Sequence, residues 1–225
     1  MSDSRKINVK EYPPRALELL ALAKSRVQNA HKLPVWSESK ATFRKIYMEW
    51  VDGCPYMVHF QSIKGITPRQ FTPFFATNFC DNLNAISPKG ASYTQIEHDS
   101  PHLHMMVKID MGFPMIAARC CPVVAYEFED PGDELSFMTT TEGCEHLIEK
   151  YKAMMGKCVV PSCELNYFMC KPWYDDNGTM IGTKLEQVCK VDPKGNFPDF
   201  IKTITARFLA EPIMMVADFV LNPPK

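Results

Sequence analysis

The chain has 225 residues, with 25 lysines and arginines against 26 aspartates and glutamates, a formal net charge of −1. That balance argues against nucleic-acid binding, which needs a basic surplus to neutralise phosphates, and against adhesion to anionic membranes by charge alone. At 46% hydrophobic and 23% charged residues the composition is that of a folded globular chain, and no apolar run reaches the roughly 20 residues of a membrane span.

Residues 13–30 read as a first helix, opened by Pro13-Pro14, with Ala16, Leu19, Leu20, Ala23 and Val27 at helical spacing. Leu33-Pro34-Val35-Trp36 reads as a linker. The period then changes to two. Residues 41–51 and 56–63 alternate, are rich in aromatic and β-branched side chains, and meet at the hairpin turn Asp52-Gly53. Thr67-Pro68 supplies an N-cap and first position for a helix whose Phe71, Phe74, Phe75 and Phe79 share one core-facing stripe. Strands follow over residues 92–98, 102–111 and 118–128, and Asp130-Pro131-Gly132-Asp133 turns the chain into residues 134–141. Residues 142–156 fit either a short helix or a loop. Residues 163–173 and 179–191 make a long hairpin around Asp175-Asp176-Asn177-Gly178. The chain closes on a helix over residues 197–220, with Phe197, Ile201, Ile204, Phe208, Met215 and Phe219 near one face and Pro212 kinking or breaking it.

Consecutive hairpins predict a curled antiparallel sheet in a single α+β domain spanning residues 1–225. The terminal helix is the long element available to cover the concave face, and one helix leaves part of that concavity empty. Fourteen methionines favour a soft, adaptable apolar interior. The nine cysteines are odd in number, form no CxxC pair and follow no signal-peptide pattern at Met1-Ser2-Asp3-Ser4, so they read as buried thiols of a cytoplasmic protein.

The run Gln187-Val188-Cys189-Lys190-Val191-Asp192-Pro193-Lys194-Gly195-Asn196-Phe197-Pro198, ahead of an apolar helix, resembles the closing segment of a START (steroidogenic-acute-regulatory-protein-related lipid transfer) domain. Gly112-Phe113-Pro114-Met115 followed by Arg119 at a strand start resembles that family's loop-and-strand signature. The order of elements is similar from about residue 13 to 219. The resemblance implies a helix-grip fold of the Bet v 1-like superfamily, in which a curved antiparallel sheet wraps a long C-terminal helix around an apolar cavity. It implies one bound lipid of the phospholipid, ceramide or sterol class, carried between membranes without catalysis or a cofactor. The partners it implies are that lipid and a transiently touched membrane surface; a monomer is expected, without nucleic acid.

By position, the lipid-binding candidates are Met105, Met106, Arg119, Tyr126, Tyr167, Gln187, Ile204 and Phe208, with Asn166 as a further polar group. Phe113, Met115 and Ile116 form a docking loop, and the helix at residues 197–220 a lid hinged at Asp192-Pro193-Lys194-Gly195. Two departures stand out. Cys120 follows Arg119 where the family carries Asp. Met105 or Met106 and about Ala125 occupy the places of an acidic–arginine pair found in sterol-related members, which makes the wall more apolar and a sterol held by that pair less favoured.

Other chemistry was weighed on the residues. His98, His102 and His104 with Glu97 and Asp99 have some metal-ligand flavour, but Ser100-Pro101 marks a turn at a strand edge where such residues are ordinary. Cys144-Glu145-His146 lacks a positioned third group for nucleophilic catalysis. No metal or catalytic residue is therefore expected. The alternatives are a helix-grip enzyme of cyclase or hydrolase type acting on a hydrophobic small molecule, and a lipid-sensing scaffold.

Overall fold

A computed structural model describes residues 11–87, 89–98, 100–113, 116–129, 134–195 and 209–222 of the chain. Pro13 holds φ −55° and ψ 141°, an extended conformation that releases helix α1 (Pro14–Gln28) with proline at its first position. Ala16, Leu19 and Ala23 on one side of α1 are buried, Leu19 alone contributing about 2 kcal/mol by burial. Asn29 ends the helix, its Nδ2 donating to the Ser25 carbonyl at 2.8 Å.

The strands are β1 (Val35–Ser39), β2 (Arg44–Val51), β3 (Cys54–Lys64), β4 (Ala91–Glu97), β5 (Leu103–Ile109), β6 (Arg119–Glu129), β7 (Leu135–Thr140), β8 (Ser162–Tyr174) and β9 (Met180–Asp192). They form one nine-stranded sheet in the order β1-β2-β3-β9-β8-β7-β6-β5-β4, with every neighbouring pair antiparallel. Asp52 and Gly53, at φ 52° and 78°, make the left-handed two-residue turn that matches strand twist between β2 and β3.

Residues 33–36, expected as a linker, instead run into β1. Its exposed residues pack no buried face, so it carries no alternation to be read. The phenylalanine-rich helix is also broken into pieces. A 3-10 turn (Pro68–Phe71), started by a Thr67–Gln70 capping box, leads into α2 (Thr72–Ala76), and Asn78 at φ 50° separates this from α3 (Phe79–Ile86). Residues 142–156 adopt the helical alternative as α4 (Glu145–Lys150) and α5 (Lys152–Met155). The chain bends at Glu211, and α6 (Pro212–Leu221) begins on the proline that was expected to interrupt the terminal helix.

Both faces of the sheet are covered. On the outer face, α1 and the α4–α5 pair pack over Met106, Val124, Tyr126, Leu165, Tyr167 and Val188. On the inner face, α2, α3 and α6 pack over Met105, Cys121, Val123, Phe137, Phe168 and Leu185. Edge strand β4 is clamped from α3: Asn84 Nδ2 donates to the Tyr93 carbonyl and the Tyr93 amide donates to Asn84 Oδ1, both at 2.8 Å.

Candidate functional site

Strand alternation decides what faces inward. From β5 come Met105, Val107 and Ile109; from β6 come Arg119, Cys121 and Val123; from β9 come Gln187, Cys189 and Val191. A bulge between Cys163 and Leu165 in β8 lets both Cys163 and Asn166 point the same way. Against this wall α3 and α2 set Phe74, Phe75 and Phe79, and α6 sets Ile213 and Val216. Between them lies an apolar cavity of about 240 Å³.

Of the candidate ligand residues, Met105, Arg119, Gln187 and Asn166 line this cavity. Met106, Tyr126 and Tyr167 do not. Each has the opposite parity to an inward neighbour and is buried in the outer-face cluster, where the Tyr167 hydroxyl lies 3.1 Å from Ser136 Oγ and donates to Met169 Sδ at 3.0 Å. Ile204, Phe208 and Met115 lie outside the described residues. Phe113 is exposed at 37% and Ile116 is half-buried, its amide donating to the Phe113 carbonyl at 3.0 Å. Their loop starts beside the cavity, since Met111 is part of the wall, and Gly112 at φ 71° turns the chain there while donating to Asp110 Oδ1 at 2.9 Å.

The phenylalanines of α2 and α3, read from sequence as core, are the largest part of the wall that the candidate residues omit. Their spacing announced burial but not that the surface opposite would be hollow. Phe75 stacks on Phe79 at 5.8 Å and meets Phe137 at 5.1 Å and Phe168 at 5.3 Å, a rigid aromatic floor.

The wall's electrostatics are muted. Burial pushes the Cys121 and Cys189 thiols up to about 12, so both stay neutral and behave as small apolar groups. Arg119 is buried, and desolvation pulls its guanidinium down from its ordinary value. Its N–H groups go to backbone carbonyls: Nε to Pro193 at 3.1 Å, Nη2 to Lys194 at 2.9 Å, and Nη1 to Ala117. Arg119 thus pins the Asp192-Pro193-Lys194-Gly195 corner to the base of the loop that carries Phe113. Gln187 Nε2 donates to Asn166 Oδ1 at 3.0 Å and to the Leu209 carbonyl at 3.3 Å, joining β9, β8 and the residues ahead of α6.

The remaining sequence candidates have structural surroundings. The His102 ring stacks on Tyr12 at 6.1 Å and meets Tyr126 edge-on at 4.8 Å, while the Glu97 carboxylate is held by Lys150 Nζ at 2.7 Å and the Tyr151 hydroxyl at 3.0 Å. Among the described residues no three His, Cys, Asp or Glu side chains are grouped to hold a metal ion. Cys144 is buried in the outer-face cluster, with its thiol raised to about 12 by desolvation first and Glu145 second, against any nucleophilic role. Among the described residues no helix is long and apolar enough to cross a membrane.

The whole-chain architecture matches solved structures at low identity. Human STARD10 superposes with a TM-score of 0.67 at 10% identity, over 96% of this chain and 83% of that one. The chain has the START helix-grip fold. Human StAR-related lipid transfer protein 5 gives a TM-score of 0.64 at 11% identity over 92% and 96% of the two chains. A STAR-related lipid transfer protein from Xanthomonas axonopodis gives 0.57 at 10% identity over 83% and 95%. No family model matches the sequence, and no curated protein matches it. In this START fold the cavity lies where the sheet's inner face meets α2, α3 and α6.

Proposed function

We propose that the chain binds one lipid molecule in the inner cavity and carries it between membranes. The observation that carries this reading is the apolar cavity of about 240 Å³ inside a START fold. Pockets for drug-sized ligands span roughly 300–1,000 Å³, so a phospholipid, ceramide or sterol enters only as the wall parts. The parts that move in this reading are α6, which sets Ile213 and Val216 in the wall, and the loop that leaves the wall at Met111. Phe113, with Met115 and Ile116, docks transiently in the membrane interface; at a net charge of −1 that docking is mainly apolar.

The lipid is the cargo and no cofactor is needed. Neutral thiols and a guanidinium committed to carbonyls favour carriage over acid–base or nucleophilic chemistry in this wall. The nine cysteines are all unpaired thiols, which suits the reducing cytoplasm. Native mass spectrometry of the purified protein, followed by extraction of bound lipid, tests the reading. One lipid per chain, and movement of labelled lipid from donor to acceptor vesicles, are the expected results. A protein that arrives empty and takes up nothing from mixed vesicles refutes it.

A further inference from the structure

We propose that the groove between Phe43 and Trp173, on the outer face of the sheet, docks on the choline headgroups of a phosphatidylcholine bilayer. This goes beyond the cavity reading and uses none of its residues. Lys64 on β3 and Trp173 on β8 both pair with Gly182 of β9, which puts no side chain between them. Lys64 has the parity of Val58 and Trp173 that of Tyr167, both members of the outer-face cluster. Phe43 leans in from the turn before β2, its ring set edge-on to Trp173 at 5.2 Å. The Lys64 ammonium lies over both rings, 5.4 Å from the Phe43 centroid and 5.9 Å from that of Trp173.

The placement of Phe43 makes this a surface for a partner. Its backbone is left-handed at φ 50°, a region that strains a bulky residue and suits glycine, so the turn gains nothing from phenylalanine. Nor does the core, since Phe43 is 47% exposed. What the ring does is face a cation. Two aromatic rings around an ammonium are the recognition geometry for quaternary ammonium groups. Lys64 is a weak occupant: its ammonium is strongly hydrated, and among the described residues no carboxylate holds it there. A trimethylammonium has no N–H to hydrate and displaces it, and the freed Lys64 then pairs with the phosphate of the same headgroup. Tyr174 and Met180, exposed and paired next to Trp173, add the amphipathic and apolar contacts that suit a membrane interface. The groove lies at the start of β9 and the corner pinned by Arg119 at its end, so it is at the opposite end of the sheet from the Phe113 loop.

The test sediments the purified full chain with sucrose-loaded vesicles of two compositions. One is phosphatidylcholine and the other phosphatidylethanolamine, each with the same share of phosphatidylglycerol, so that charge is matched and the headgroups differ in their N-methyl groups. Binding to the phosphatidylcholine vesicles should be about tenfold tighter. Phe43→Gly, which relieves the left-handed backbone while removing the ring, should bring the two compositions together, and Trp173→Leu should do the same. Phe113→Asp should weaken binding to both and keep their ratio. Equal binding of the unaltered chain to both compositions, or binding to neither, overturns the proposal. A preference that survives Phe43→Gly, or one that Phe113→Asp erases, places choline recognition elsewhere and overturns it too. Uptake of lipid into the cavity is read separately, by extraction, and stands or falls without this result.

Discussion

The sheet has a hollow on each side, and the two differ in chemistry far more than in size. The inner cavity measures about 240 Å³, and the outer cleft beneath α1 about 200 Å³. The inner one is walled by phenylalanine, methionine, valine and protonated cysteine. The outer one is rimmed by Arg15, Glu142, His104 and Thr140, with Arg15 and Glu142 paired across it at 2.6 Å. Water is content in the second and poorly held in the first. Wall composition, not volume, therefore marks the inner cavity as the place for an apolar ligand.

Met105 and Met106 offer the sharpest probe of that difference, because neighbours on one strand report on opposite faces. Met106→Ala should cost about 2–5 kcal/mol by opening a void in the packed outer cluster, read in a denaturant melt, with the bound-lipid profile unchanged. A changed profile would mean that the outer face also touches ligand. Met105→Ala enlarges a space that already exists, so its cost should fall near or below the low end of that range while larger lipids gain. Equal costs at both positions would erase the contrast between the faces.

A third probe uses pH. His59, on the inner side of β3, is fully buried and accepts from Arg44 Nε at 3.2 Å; burial, then the Arg44 charge, hold its pKa down at about 3 against an ordinary 6.5. Above 6.5 the ring is neutral folded or unfolded, and it contributes no slope. Below 6.5 the unfolded chain takes up a proton that the folded chain refuses, so stability falls by up to about 1.4 kcal/mol per pH unit until about pH 3. His102 and His104, also lowered by burial, add to the same trend. Melts at pH 7, 6 and 5 should show the decline, and His59→Gln should flatten most of it. The smallest effect on stability belongs to Phe113→Asp, within about 0.5 kcal/mol, yet vesicle-to-vesicle transfer should slow. Unaltered transfer would remove the loop from the mechanism.

Much of the fold was legible because hairpin turns and alternating strands are local signals. Asp52-Gly53 and the Asp175–Gly178 turn placed two hairpins, and Pro212 marked the start of α6. The edge strand β1 was not legible, since an exposed strand has no pattern to show. The site was harder. Adjacent residues such as Asn166 and Tyr167 cannot both face one cavity, so naming both ensured that one was misplaced; the same holds for Met105 and Met106. Counting parity from Arg119 would have put Cys121 and Val123 inside and Tyr126 outside. The β8 bulge at Cys163 could not have been counted from sequence, because it shifts the parity without a glycine or proline to mark it.

The Asn84 clamp on Tyr93 bears on how the molecule behaves when concentrated. An open sheet offers the outward backbone groups of its edge strands to any extended segment of a second chain, the first step of self-association. At β4 the outward pair at Tyr93 is already taken: one side-chain amide supplies both the donor and the acceptor that an incoming strand would have used there. At the far edge, β1 defends itself with an irregular register between Val35 and Ser37 and with the Glu38–Lys45 pair. A carrier of the proposed kind, exposing apolar surface while loading and unloading cargo, would meet other copies of itself at its most adhesive moment. For a carrier of that kind, guarded edges would favour sticking to the membrane over sticking to another copy.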